Sequence, residues 1–411
     1  MLTEKLLSQT SSEQTLTILQ VPATSPSSSS SSGVTSTTEE DRPVNADDRY
    51  LRSLDGSQRY ELDLNPSGTL SDDDLSKAMH EKKVVLRQLD PATGSYQVVG
   101  PIDLGGIGRV TAMFEDSTHG RIFLQEYVGR LYYELWVIDT KHLRVATALD
   151  IRSQEPEMPL VVSPDGNLLY ISWQPDNADQ GGPVWQTTAI DTRNYKTIQT
   201  SSDFTVRLSR FGGLESSVFS EDGKQLFTYK LSSNPALNDT ADTLLVIDAS
   251  SSRITETIPY SNMAPGKLTV RGVRNDKVIA TDKLQQDGSS HPSVFGVVYD
   301  LGSHKLLRRV LLDGYAEGWS LVDGVGNKLV ISVWKETSDE ELVSAGWLCI
   351  FDLQNGRSSK ISIVGRVLLS SAQDEIVYVG GDHQLTKVDI QAAAVTEQLP
   401  LTRQARQRGL N

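Results

Sequence analysis

Residues 134–140 read ELWVIDT, an apolar strand that stops on an aspartate and passes into a polar turn. The phrase returns along the chain: VVLRQLD ends on Asp90, QTTAIDT on Asp191, LLVIDAS on Asp248, FGVVYDLG on Asp300, LCIFDLQNG on Asp352 and LTKVDIQ on Asp389. Successive aspartates, Asp139 included, stand 49, 52, 57, 52, 52 and 37 residues apart. A period of about 40–50 residues holding four short strands suits a propeller blade, a small sheet that buries its faces only against neighbouring copies of itself. The expected fold class is all-β: a seven-bladed β-propeller of four-stranded antiparallel blades.

Working outward from each phrase gives the same succession of strands. The third repeat supplies LVVSPDG, NLLYISW, VWQTTAIDT and YKTIQTSS. Its first link, Ser163-Pro164-Asp165-Gly166, and the equivalent Glu221-Asp222-Gly223 and Asn275-Asp276 offer the positive-φ positions of a tight hairpin. The links after each repeated aspartate place a carboxylate where it can accept backbone N–H groups at the start of a turn. Near-continuous apolarity in the inner strands fits sheets covered on both faces.

The wording VSPDGNLLYIS followed by a strand ending in IDT resembles the YVTN-type, WD40-like β-propeller repeat family. The resemblance spans roughly residues 49–401 and is closest in the third repeat. It implies a fold, and a role only broadly, because that family includes surface-layer modules, binding proteins and structural subunits. No catalytic residue carries over.

Three segments are expected. Residues 1–45 include the serine run Ser27–Ser32 and read as a disordered Ser/Thr-rich arm, because such a composition buries too little apolar area to offset its ordering entropy. Within it TLTILQV, residues 15–21, alternates like a strand able to pair with a sheet edge or a partner. Residues 46–402 are the propeller. Residues 403–411, with Arg403, Arg406 and Arg408, read as a solvated basic tail. Ring closure is expected from packing of the seventh blade against the first, without a strand exchanged between them.

The formal charge is −14, which disfavours nucleic acid and anionic membrane as partners, since both require clustered Lys and Arg. No run of apolar residues approaches the ~20 needed to span a bilayer. The N-terminus lacks the charge and apolar core of a signal peptide, so the sequence as it stands reads as cytoplasmic, or as periplasmic or surface-borne if a leader had been removed. The single cysteine, Cys349, lies in an apolar strand and reads as a structural thiol. The six histidines are scattered without metal-ligand spacing, and Gly105-Gly106 and Gly212-Gly213 read as connectors.

Function is expected on the segments joining second to third strands, which are long in five repeats: 66–82, 172–184, 231–242, 282–293 and 335–345. Their formal charges are −2, −2, −2, −1 and −3, together −10 of the chain's −14. Long loops on a rigid scaffold are where binding concentrates, although acidic loops also keep a large protein soluble. The candidate partner-binding residues are Asp176, Asp179, Asp239, Asp242, Asp339, Glu340 and Glu341. Trp173 and Trp185, with Trp334 and Trp347, bracket two of the loops as contact anchors or as stem packing.

One stretch has metal-ligand spacing. Asp63, Asn65, Ser67 and Asp74 follow an EF-hand register with Gly68 at its sixth position, which makes calcium the one cofactor the spacing admits. A serine in an acidic position, Asp74 in place of glutamate and no entering helix argue for a plain turn followed by a capped helix. The expected function is a non-catalytic scaffold that binds a protein partner by its acidic loop face or channel mouth, with room for a small-molecule ligand there. The competing reading is an enzyme or enzyme subunit with funnel carboxylates, resembling the propeller subunit of quinoprotein amine dehydrogenases.

Overall fold

The structure is a computed structural model that describes residues 18–19, 42–43, 49–53, 59–71, 80–129, 132–154, 158–175, 185–206, 217–229, 243–284, 293–312, 316–322, 328–334, 346–352, 354–363, 366–371, 375–381 and 383–403. The described chain is all-β and propeller-like, a succession of four-stranded antiparallel meanders. The first has strands Tyr50–Arg52, Tyr60–Asp63, Lys83–Asp90 and Ser95–Asp103, and the second Arg109–Asp116, Arg121–Gly129, Tyr132–Asp139 and Arg144–Ser153. The third has Leu160–Val162, Leu168–Trp173, Gln186–Asp191 and Lys196–Ser201; the fourth has Val218–Phe219, Gln225–Tyr229, Thr243–Asp248 and Arg253–Pro259. The fifth has Lys267–Arg274, Lys277–Leu284, Ser293–Asp300 and Lys305–Leu311. The sixth has Ala316–Val322, Lys328–Trp334, Gly346–Asp352 and Ser358–Ser362, and the seventh Arg366–Ser371, Ile376–Gly380, Gln384–Asp389 and Ala394–Pro400.

Neighbouring first strands run parallel, as the bridges Ser53–Met113 and Ser220–Val273 record. The apolar inner strands then bury their side chains between successive meanders. Leu62 and Leu86 meet Met113 and Leu124; Phe123 and Val137 meet Leu169 and Ile171; Tyr170 meets Leu226 and Leu245. Phe227 and Val246 meet Val270 and Tyr299, Ile279 and Val298 meet Leu329 and Phe351, and Val330 and Ile350 meet Val377 and Val388. Leu385 of the seventh meander packs with Leu89 and Tyr96 of the first.

The repeated aspartate is a turn cap in every meander. Its Oδ1 accepts the N–H two or three residues on, from Ala92 to Asp90, His142 to Asp139, Arg193 to Asp191, Ser251 to Asp248, Ser303 to Asp300, Gln354 to Asp352 and Gln391 to Asp389. Four residues beyond each aspartate the backbone turns left-handed, at Gly94, Leu143, Tyr195, Ser252, His304, Gly356 and Ala393. Five of those seven carry a side chain, and a non-glycine residue at positive φ persists only where its surroundings hold it there. The hairpins between first and second strands also turn as expected, with positive φ at Gly166, Gly223, Asn275 and Asp276. At Gly166 a Cβ would lie 2.4 Å from the His119 ring, so close packing as well as conformation demands glycine.

The joint between the seventh and first meanders differs from the rest. Among the described residues it buries four apolar side chains, where the other joints bury seven to fourteen. A short strand supplements it: Thr402–Arg403 pairs in parallel with Ser95 and Tyr96 on the outer edge of the first meander, and Arg42–Pro43 pairs antiparallel to it. Arg403 is therefore no part of a solvated tail. Its side chain is 7% exposed, and its guanidinium forks onto the fully buried Glu61 at 2.9 and 3.3 Å and lies 3.6 Å from the Tyr50 ring centre. Arg406 and Arg408 lie outside the described residues. Of TLTILQV, Ile18–Leu19 pairs in parallel with Lys360 and Ile361 on the sixth meander's outer strand, away from the closing joint.

Two predictions follow from these contacts. Arg403→Met should strand a buried carboxylate and cost about 3–5 kcal/mol in chemical denaturation; an unchanged midpoint would return Arg403 to the solvent. The second concerns acid. The Arg193 side chain holds Asp191, and the Ser220 hydroxyl holds Asp222, at about 2. These folded values lie below an unfolded aspartate near ~3.9, so the stability they contribute is complete above that pH and is lost as pH falls through about 2. Thermal midpoints measured between pH 4 and pH 2 should fall less steeply in an Asp191→Asn/Asp222→Asn variant, and parallel curves would refute the assignment.

Candidate functional site at the loop-bearing ends of the meanders

Because neighbouring first strands run parallel, the segments joining second to third strands leave the meanders on one side. They depart after Asp63, Gly129, Trp173, Tyr229, Leu284, Trp334 and Gly380. The sequence candidates Asp74, Asp176, Asp179, Asp239, Asp242, Asp339, Glu340 and Glu341 lie outside the described residues. The stems beneath them are described.

Trp173 and Trp347 are anchored within their own sheets. Trp173 donates its indole N–H to Thr188 Oγ1 at 2.9 Å and packs against the apolar joint of the second and third meanders. Trp347 packs on the joint of the fifth and sixth, with the Lys360 ammonium 4.8 Å from its ring centre. Trp334 ends its strand opposite Gly346, and Trp185 is half-buried just before the third strand of its meander. The Trp173 and Trp347 rings thus pack the ends of their sheets.

Under the same side lie three buried carboxylates that the sequence reading did not group together: Asp63, Glu126 and Asp282. Each is taken by a partner in its own meander or beside it. Asp63 receives a forked guanidinium from Arg49 at 2.6 and 2.9 Å, with Arg87 at 3.5 Å. Glu126 accepts the Trp136 indole N–H at 2.6 Å and the Gly108 backbone N–H. Asp282 accepts from Arg309, whose guanidinium lies over the Phe295 ring. Isolated buried carboxylates cost too much to stay ionised, and cationic and N–H partners are the ordinary way that cost is met.

The calcium register resolves into local bonds where it is described. Asp63 faces the arginines, the Asn65 side-chain oxygen accepts the Leu70 N–H at 3.1 Å, and the Ser67 hydroxyl donates to Glu81. Gly68 turns at φ +72°. Among the described residues no group of three or more His, Cys, Asp or Glu has metal-holding geometry.

Two further features arise from contacts distant in sequence. The first is an arginine–tyrosine network on one face of the first meander, where Arg49, Arg87 and Arg403 surround the Tyr50 ring. Arg52 stands 3.5 Å from Glu61 and over the Tyr96 ring. Burial, with Glu61 nearby, pushes the Tyr96 phenol far up, so it stays neutral. The second is a set of buried hydroxyls on the inner strands. Ser172 bonds Thr187 and Ser217 bonds Thr228, and Thr187 and Thr228 donate onward to the Phe204 and Thr205 carbonyls. These bonds tie the connecting segment after the third meander to the strands on either side.

No family model matches the chain, and no curated protein matches it. Among solved structures it is similar to Kuenenia stuttgartiensis hydrazine synthase, with 15% sequence identity and a TM-score of 0.45 over 78% of this chain and 80% of that one.

A carboxylate that serves architecture behaves differently on substitution from one reserved for chemistry. Asp63→Asn should lower unfolding free energy by about 1.5–3 kcal/mol, because charge-assisted bonds to buried guanidiniums are lost. A stability that is unchanged or raised, the usual signature of removing a functional carboxylate, would reopen Asp63 as a site residue.

Proposed function

We propose that the chain is a seven-bladed, YVTN-type propeller scaffold that binds a protein partner through its acidic loop-bearing side. The observation that carries this reading is the division of carboxylates between the two ends of the meanders. At the tight-turn end the repeated aspartates are consumed by turn capping, each accepting the N–H groups of its own hairpin. At the other end the joining segments carry −10 of formal charge on stems fixed by Trp173 and Trp347. The round of shared apolar clusters, from the first joint to the contact of Leu385 with Leu89, supports seven blades closed into one ring. The buried carboxylates Asp63, Glu126 and Asp282 sit in separate meanders, each with its own partner, which supports docking over acid–base chemistry at a common point.

A partner that fits such a face presents clustered Lys and Arg, and its association is fast and salt-sensitive. Affinity capture from the native cells, at low and high salt, with wild type and an Asp339→Lys/Glu340→Lys/Glu341→Lys variant, tests the assignment. Recovery of the partner should drop about tenfold in the variant and at high salt, with the melting curve unchanged. Equal recovery from both proteins, or recovery indifferent to salt, would count against the acidic side.

A further inference from the structure

We propose that the outer edge of the fifth meander, Lys305–Leu311, docks an extended segment of a partner protein in which acidic residues precede alternating apolar ones. Three observations converge there. Leu306, Leu307 and Leu311 are 42%, 48% and 51% exposed, three of the seven large apolar residues that stand out from the described surface. Leu307 also forms part of the floor of a 290 Å³ groove, with Ile279 and Val298, at the tight-turn end of the same strand. Among the described residues that line that groove, Arg274, Lys277 and Arg308 are cationic and none is acidic, on a chain whose net charge is −14. The carboxylates Glu221, Asp222, Asp248 and Asp276 line the neighbouring cleft that shares Arg274. Arg308 ties the groove to the sixth meander by donating to the Gln354 carbonyl.

The fold itself shows how such an edge is used. Among the described residues, two other outer strands accept a fifth strand, and both additions are parallel: Thr402–Arg403 on the first meander and Ile18–Leu19 on the sixth. Among the described residues Lys305–Leu311 pairs only with Ser293–Asp300, which leaves its outer edge for the same addition. Strand addition draws affinity from main-chain bonds and specificity from alternate side chains. A segment added in parallel sets its N-terminal end at the Lys305 end, beside the cationic groove, and its later residues along Leu307 and Leu311. Acidic residues first and apolar residues after is therefore the order the edge selects. The groove lies at the opposite end of the meanders from the acidic loops, so the inference stands apart from the proposed docking there.

The test uses the full-length protein and a fluorescent heptapeptide of two glutamates followed by alternating valine and threonine, read by anisotropy. Binding should weaken about tenfold in Arg274→Glu/Lys277→Glu, two half-buried positions, in a variant whose melting curve is measured alongside to show that it folds. It should weaken similarly when lysines replace the peptide's glutamates, and vanish when the peptide's backbone N–H groups are methylated. Absence of binding, equal binding of the lysine peptide, or undiminished binding of the methylated one would each overturn the proposal. Octanoate binding that depends on Arg274 and Lys277, without peptide binding, would assign the groove to a small amphiphile and overturn it equally.

Discussion

The contact between the last meander and the first is the one that chain continuity does not supply, and a buried ion pair lies beside it. Arg403 and Glu61 are 342 residues apart in sequence, and bringing them together costs loop entropy that grows only slowly with separation. Among the described residues the joint has few apolar side chains to offset that cost, four against seven or more elsewhere. What it has is directional. A guanidinium fork matches a carboxylate in a narrow range of geometries, and the short parallel ladder from Thr402 to Ser95 fixes the height at which Arg403 arrives. Gly94 belongs to the same arrangement, since a Cβ there would meet the Pro400 carbonyl at 2.5 Å. The apolar clusters hold the meanders together, while the ion pair and the ladder select the register in which the last meets the first.

The most repeated residue of the chain turns out to be the least available for chemistry. Each aspartate that ends a third strand spends its oxygens on its own hairpin, and hydroxyl and N–H donors hold several of these carboxyls below the ordinary aspartate range: Ser250 acts on Asp248 and Ser303 on Asp300. A side chain so committed specifies where a strand stops and which way the chain turns. The uniform left-handed residue four places on, occupied by leucine, tyrosine, serine, histidine and alanine as well as glycine, shows how strongly that turn is imposed.

Much of this architecture was legible because it is local. Strand, aspartate and turn recur within a dozen residues, so the meanders and hairpins could be placed from periodicity and turn chemistry. The charged face of the first meander was not legible, for a physical reason. In YLR and YELD polar and apolar residues alternate, which shows that the two faces differ without showing that the polar one is wet. Tyr50, Arg52, Glu61 and Asp63 belong to the polar set, and in the folded chain Glu61 and Asp63 are buried by contacts that include residues from the far end of the sequence. Arg403 looked like a tail residue because its carboxylate partner is distant. The acidic candidates Asp176, Asp179, Asp239, Asp242, Asp339, Glu340 and Glu341 lie outside the described residues.

The groove of Arg274, Lys277 and Arg308 and the acidic joining segments belong to opposite ends of the meanders, and the distance between those ends keeps the two fields apart. Strands of five to eight residues at ~3.3 Å per residue separate the ends by about 17–26 Å, two or three times the ~8 Å over which charges are screened at physiological salt. The acidic loops and the groove of Arg274, Lys277 and Arg308 therefore do not cancel. The positive character is local to the groove, because Glu221, Asp222, Asp248 and Asp276 line the neighbouring cleft that shares Arg274. Occupying one end would alter the field at the other very little, so coupling between them would have to pass through the packed joints.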